Sequence, residues 1–216
     1  MTLDSADTAA QTVLTRLKAD ISGCDSGTLR LLLTEARSHN GWLDRPVADS
    51  LLKELYEIMR WGPTSANSSP ARVVLLKTAE AKARLEPALK PNNVEKTLAA
   101  PVTAIIAHDT AFWTNAEKFF PHNPAVQLAF KDNPAGAEIT AFRNGTLQGA
   151  YFLIAARAVG LDCGPMSGFD NALVDEVFFA GTTLRSNFLC NLGYGDISKV
   201  MKRSPRLTFD EVCEIL

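Results

Sequence analysis

Three separated stretches of the chain combine small residues, hydroxyls, amides and cations in a pattern suited to ligand binding. They are residues 36–42 (ARSHNGW), 62–70 (GPTSANSSP) and 164–170 (GPMSGFD), with residues 204–206 (SPR) as a fourth anchor. Backbone N–H groups, hydroxyls and carboxamides can edge a flat polar molecule, and a guanidinium can grip a phosphate with two parallel hydrogen bonds. The chemistry implied is capture of a flat, polar-edged ligand that carries a phosphate. Each stretch also has an ordinary reading. Arg37 and Ser38 can finish a helix, the Ser and Asn of PTSAN can bond their own backbone, and GPMSGFD can be a turn leading to a helix cap. The signal lies in their sum.

Other chemistries lack their motifs. Gly160, Gly164 and Gly168 are spaced GxxxGxxxG rather than GxGxxG, and no GxxxxGK[ST] is present, which argues against dinucleotide-fold and P-loop sites. No GxSxG elbow occurs, and Ser167 has no histidine near it in sequence to activate it. Cys24, Cys163, Cys190 and Cys213 form no CxxC pair, and the histidines lack HxxxH or HExxH spacing, so free thiols and no metal are expected.

Composition sets the frame. A chain of 216 residues that is 46% hydrophobic and 21% charged reads as one folded domain. Lys plus Arg total 22 against 24 Asp plus Glu, a net charge of −2 and a pI near 5.9, which disfavours a nucleic-acid surface but leaves room for one local phosphate site. No apolar run is long enough to span a membrane, and MTLDSADTAAQTV lacks the cationic start and apolar core of a secretory signal, so a cytoplasmic location is expected.

The elements that must position these loops follow from periodicity. Residues 1–27 read as a loosely held N-terminal arm with a helical stretch around 10–21, and residues 28–216 as the folded domain. Helices are predicted from Thr28 to Ala36 and from an N-cap at Asp49 to before Gly62. RVVLLK (72–77) is a buried strand, 78–90 a helix, and PVTAIIAH (101–108) a second buried strand. The 110–133 region mixes aromatics, Pro and Asn and predicts short helices or a lid. A long helix runs from Pro134 to Val159 with a stripe of Ala150, Tyr151, Ile154 and Ala158, and Gly145 and Gly149 on it predict close approach of another helix or a ligand. Residues 161–170 read as a turn-rich connection, 171–178 as a helix, 187–194 as a last strand, and Thr208 as the start of a short helix. The fold class is α+β.

In this order the loops resemble the nitroreductase family of FMN-dependent oxidoreductases. The family's Arg-Arg-Ser stretch after a helix corresponds to ARSHNGW, its Pro-Ser-x-x-Asn to PTSANSSP, its Pro-x-x-Gly-Phe turn to PMSGF, and its closing Arg to Arg206. More narrowly, SHNGW, WGPTSAN, SPAR, APVTAI, ITAFRN, GPMSGFD and GYGD are similar to the branch of malonic semialdehyde reductases of pyrimidine degradation.

The resemblance implies a mainly antiparallel central sheet flanked by helices and an intertwined homodimer with two FMN molecules at the subunit interface, the C-terminal segment wrapping over the partner. Arg37, Ser38 and Arg206 would hold the FMN phosphate and ribityl chain, with His39 and Asn40 beside them and Asn40 and Asn93 near the ring. Pro63, Thr64, Ser65 and Asn67 would reach FMN from the other subunit. Pro165 and Met166 would lie along the ring, and the amides of Ser167 and Gly168 would approach N5 and O4. Two departures remove positive charge: Ala36 stands where the family has its first Arg, and Ser204 where some relatives have Lys, with Arg203 as a compensating cation.

The implied reaction is reduction of malonic semialdehyde to 3-hydroxypropionate by NADH or NADPH, with Arg143, Arg72 and Asn40 as candidates for the substrate carboxylate. A broad-specificity nitro or quinone reductase and a non-catalytic flavin-binding protein are the competing readings.

Overall fold

A computed structural model describes residues 5–216, and these divide into two compact units, one ending at Ala36 and one running from Arg37 to Leu216. The first unit holds helices α1 (Ser5–Asp20) and α2 (Ser26–Leu29), followed by a π turn over Arg30–Thr34. Asp25 caps α2 by accepting from the Thr28 N–H at 2.9 Å. The helix predicted over 28–36 is therefore a short piece that begins earlier and ends in the π turn, and α1 begins well before residue 10.

In the second unit, helix α3 (Asp49–Met59) leads to strand β1 (Ala71–Leu76). Helices α4 (Ala79–Leu85) and α5 (Pro91–Ala99) precede strand β2 (Val102–Asp109). Two four-residue helices, α6 (Ala116–Phe119) and α7 (Ala125–Leu128), occupy the aromatic region, where short helices were expected. The long helix α8 (Pro134–Ala158) is followed by β3 (Asp162–Met166), α9 (Asn171–Phe179), β4 (Leu184–Gly193) and α10 (Phe209–Val212). The helix expected at Asp49 begins there, but Ala48 is its cap; Asp49 sits in the first turn and pairs with Lys77.

The sheet is fully antiparallel, in the order β1-β2-β4-β3. Every residue of β2 is buried because helices cover both faces. Its alternate side chains divide between them as strand periodicity requires. Val102, Ala104 and Ile106 pack with Leu55, Met59 and Phe152 of α3 and α8; Ile105 and Ala107 pack with Leu85, Val174 and Phe179 of α4 and α9.

Two expectations are corrected, and one unassigned stretch is filled. Residues 162–166 form a strand rather than a turn-rich connection: β3 is an edge strand, where a proline such as Pro165 is tolerated. Residues 91–99 form a helix, opened by Pro91 in its first turn. On α8 the face turned to the sheet carries Ala141, Asn144, Gly145, Gln148 and Phe152, whereas Ala150 and Ala158 are exposed. The close approach at Gly145 and Gly149 is to the sheet: a Cβ there would meet His108 Cβ at 2.7 Å and the Phe188 ring at 2.5 Å. The outward face of α8 exposes Ile139, Phe142 and Leu147, so this helix is apolar on two sides.

Candidate functional site

At the β3 edge, residues 37–40 run alongside the strand. Ser38 forms a parallel bridge with Cys163, and the His39 N–H donates to the Cys163 carbonyl at 2.9 Å. His39 is 7% exposed and turned inward, with Nε2 at 3.3 Å from Asp162 Oδ1 and the ring pressed against Gly195. Asp162 also accepts from the Gly195 N–H at 2.8 Å. In an extended segment neighbours alternate sides, so locking His39 inward presents Ser38 and Asn40 on the other face. Arg37 donates to the Met201 carbonyl, which brings its guanidinium to within two residues of Arg203. Arg206 is exposed, and its own guanidinium donates to the carbonyls of Ser204 and Pro205 at 3.0 and 3.1 Å.

Helix α5 faces this segment. Asn93 donates to the Gly168 carbonyl at 2.8 Å, and the Lys90 N–H reaches the same oxygen at 3.0 Å. The Ser167 carbonyl accepts from the Phe169 N–H at 3.1 Å. A trans peptide aims its N–H away from its carbonyl, so the Gly168 amide hydrogen points away from that turn. Three residues beyond Asn93, on the same helix face, Lys96 donates from Nζ to Asn40 Oδ1 at 3.1 Å. Burial alone pulls the Lys96 ammonium below the ordinary lysine range.

The Lys96 backbone is fixed from below. Its carbonyl accepts from Trp42 Nε1 at 3.0 Å and from the fully buried Asn191 Nδ2 at 3.2 Å. Thr97 reaches the Met166 sulfur at 3.6 Å. Lys96 escaped the sequence reading because a single lysine reads as a solvated surface residue. The signal that could have found it is the helical spacing Asn93-x-x-Lys96, once Pro91 is recognised as a helix start.

At the opposite edge, beside β1, lies the loop carrying Pro63, Thr64, Ser65 and Asn67. It contains three non-glycine residues with left-handed backbone, Ala66 (φ 47°), Asn67 (φ 50°) and Ser69 (φ 41°), each costing about 1–3 kcal/mol unless neighbours hold it. The Ser65 N–H donates to Asn144 Oδ1 at 2.8 Å, Tyr151 OH to the Pro63 carbonyl at 3.0 Å, and the Ser69 N–H to Thr64 Oγ1 at 3.1 Å. Alongside runs an open groove of about 1190 Å³ between α3 and β1, whose lining includes Leu52, Tyr56, Pro63, Asn67, Val73 and Phe119.

The candidate residues thus form two groups. Arg37, Ser38, Asn40, Asn93 and residues 165–168 gather at the β3 edge, with the C-terminal segment reaching Arg37 there, while residues 63–67 lie at the β1 edge. Two strands separate the edges, so the groups stand about three strand spacings, ~14 Å, apart across one chain. Of the candidates for a substrate carboxylate, Arg72 is engaged by Asp109 at 2.9 Å and Asn40 by Lys96, while Arg143 is exposed on α8 next to Asn144. Among the described residues no cluster of three or more His, Cys, Asp or Glu could hold a metal, and no helix is long and apolar enough to cross a membrane.

Residues 33–194 match the family model described as the nitroreductase family, and the chain belongs to that family. A protein of Ralstonia pickettii provisionally named NADH dehydrogenase/NAD(P)H nitroreductase HadB is 58% identical over 190 residues, 87% of this chain and 97% of that protein. One of the same provisional description from Cupriavidus pinatubonensis is 58% identical over 83% of this chain and 93% of its own length. Among solved structures, nitroreductase YdfN of Bacillus subtilis superposes with a TM-score of 0.81 at 20% identity, over 89% of this chain and all of the other. A nitroreductase of Exiguobacterium sibiricum in complex with FMN gives 0.77 at 17% identity, over 90% and 98% of the chains. These structural likenesses establish the fold.

Proposed function

We propose that this chain is an FMN-dependent reductase acting as a homodimer, with the β3-edge group of one copy and the β1-edge loop of the other enclosing each flavin. The observation that supports this reading is the division of the candidate residues between opposite sheet edges, a division that pairing the β3 edge of one copy with the β1-edge loop of another would close. The outward apolar face of α8 and the exposed Leu207, Phe209, Val212 and Ile215 of the C-terminal segment support such a partner. The family, the FMN in the Exiguobacterium relative and the NAD(P)H in the names of the two close relatives support the cofactor and the hydride donor.

The residues at the β3 edge fit FMN on their own chemistry. Arg37, with Arg203 and Arg206 on the same C-terminal stretch, would hold the phosphate, and Ser38 the ribityl oxygens. The Gly168 amide and the Lys96 ammonium offer fixed donors to the ring edge, aligned before any charge develops. When bound, FMN accepts a hydride from NAD(P)H and passes it to the acceptor. The Phe169 N–H, by holding the Ser167 carbonyl, keeps the Gly168 amide aimed, and Asn93 and Lys90 fix the next peptide through the Gly168 carbonyl.

For the acceptor we propose malonic semialdehyde, reduced with one proton to 3-hydroxypropionate, on the likeness of SHNGW, WGPTSAN and ITAFRN to that branch. Arg143, exposed on α8 next to the Asn144 that holds Ser65, is the candidate for its carboxylate. The names of the two close relatives favour a second reading, a nitroreductase of broader acceptor range.

Purified protein is expected to be yellow, to bleach anaerobically with NAD(P)H, and to give parallel double-reciprocal plots as donor and acceptor are varied. A spectrum unchanged by either NADH or NADPH would sink the flavin-reductase reading. A kcat/KM for malonic semialdehyde below that for a nitroaromatic would select the second reading. Arg206→Ala is expected to lose about 1–2 kcal/mol of FMN binding, roughly tenfold in dissociation constant, read by fluorescence titration; unchanged flavin content would remove Arg206 from the phosphate site.

A further inference from the structure

We propose that the 110–133 segment and the Arg72–Asp109 ion pair together form a bracket that sets the left-handed turn at residues 64–69, making both of them positioning parts of the cofactor site rather than a lid over the acceptor. The inference rests on the reading above for the turn's role, and on the geometry below for the bracket itself.

Left-handed backbone at three non-glycine residues so close together persists only where the surroundings over-determine it. Here the constraints come from two sides. Arg72 Nη1 lies at 3.2, 3.3 and 2.9 Å from the carbonyls of Ser69, Pro70 and Ala71, while Nη2 donates to Asp109 Oδ2 at 2.9 Å. Asp109 is itself fixed: Oδ1 accepts from the Ala111 N–H at 2.9 Å and from Thr183 Oγ1 at 2.7 Å, and its own N–H donates to the Pro70 carbonyl at 2.9 Å. One guanidinium therefore ties the exit of the turn to the residue that opens the 110–133 segment.

The segment then closes on the turn directly. Gln127, fully buried, donates from Nε2 to the Ala66 carbonyl at 2.8 Å, and the Phe119 carbonyl accepts from Asn67 Nδ2 at 2.8 Å. Two of the three left-handed residues are thus held by this segment, one through its backbone and one through its side chain. A swinging lid would have to draw the fully buried Gln127 amide away from the Ala66 carbonyl at each opening. The fork geometry of Arg72 explains why an arginine is needed: a lysine at this position cannot serve Asp109 and three carbonyls at once.

The test is amide hydrogen exchange combined with FMN titration on the full chain carrying Arg72→Lys, Gln127→Leu or Asp109→Asn, each with its melting temperature. The bracket predicts exchange at residues 65–69 faster by at least about tenfold in the variants, with the β2 amides still protected. It also predicts FMN affinity lowered by a similar factor, and a loss in the Arg72→Lys/Gln127→Leu double variant smaller than the product of the singles, because both act on one turn. Unchanged exchange at 65–69 in both Arg72→Lys and Gln127→Leu would overturn the proposal, as would a wild-type 110–133 segment that exchanges as fast as an unanchored loop. Should Arg72→Lys fail to fold, Gln127→Leu and Asp109→Asn carry the same comparison. Wild-type protein that takes up no FMN would defeat the functional reading while the exchange data still decide the bracket.

Discussion

Gly164→Ala is expected to weaken FMN binding by about two orders of magnitude while leaving a folded protein. A Cβ at this position would lie 2.5 Å from the His39 carbonyl oxygen and 3.2 Å from the Trp42 ring. The first contact is with backbone, so no side-chain rotation relieves it. β3 cannot retreat, because Gly164 is paired with Asn191 in the ladder to β4. The 37–42 segment must therefore move outward, carrying Arg37, Ser38 and Asn40 with it and straining the bond between the His39 N–H and Cys163. Overpacking of this kind costs about 1–3 kcal/mol of stability, a tolerable loss. Losing one charge-assisted hydrogen bond to the FMN phosphate costs about 1.5–3 kcal/mol, up to about a hundredfold in dissociation constant. Fluorescence titration with FMN beside a thermal melt separates the two effects, and wild-type affinity in this variant would show that the 37–42 segment takes no part in flavin binding.

Lys96→Met is expected to keep most FMN binding yet lower the kcat/KM for NAD(P)H by about 10²–10³, the usual scale for removing one prealigned donor from a developing charge. The long apolar methionine preserves packing, and the Lys96 carbonyl, held by Trp42 and Asn191, stays in place. Only the ammonium facing Asn40 is lost. The pH profile supplies a second signature. Burial lowers the Lys96 pKa, so the cation is lost as pH rises through a value beneath the ordinary lysine range. Wild-type activity should fall along that alkaline limb, Lys96→Arg should push the limb to higher pH, and Lys96→Met should lack it. A methionine variant with the wild-type rate would remove Lys96 from the chemistry.

How much of this was legible in the sequence varies by element. The strands β1 and β2 announce themselves as runs of branched apolar residues, though only β2 is buried throughout, β1 being an edge strand in which Leu76 alone is fully covered; α3 and α9 read as apolar stripes ending at glycine or alanine-rich turns. β3 was hidden because Cys-Gly-Pro-Met reads as a turn; only its position at the sheet edge, which no local pattern reveals, makes proline acceptable there. α5 was hidden for a related reason, since Pro-Asn-Asn looks like a loop until the proline is taken as a first-turn residue. On α8 the stripe of Ala150, Ile154 and Ala158 is real but faces outward, because a helix apolar on two sides gives periodicity no unique answer. The loops of the candidate site were found as clusters of chemistry, and their family order supported them. Lys96 and the inward turn of His39 were not, since both depend on what an adjacent strand brings alongside.

The placement of the two residue groups on opposite edges of one sheet also has a genetic meaning. If each flavin draws its β3-edge residues from one copy and its β1-edge loop from the other, damage to the two edges is not equivalent to damage to two sites. A chain disabled at Gly164 and a chain disabled at Asn67 are each inert alone, yet a mixed dimer of the two assembles one flavin site from their undamaged edges and the other from both damaged ones. Two inactive alleles would therefore restore partial activity when expressed together, whereas two lesions on the same edge would not.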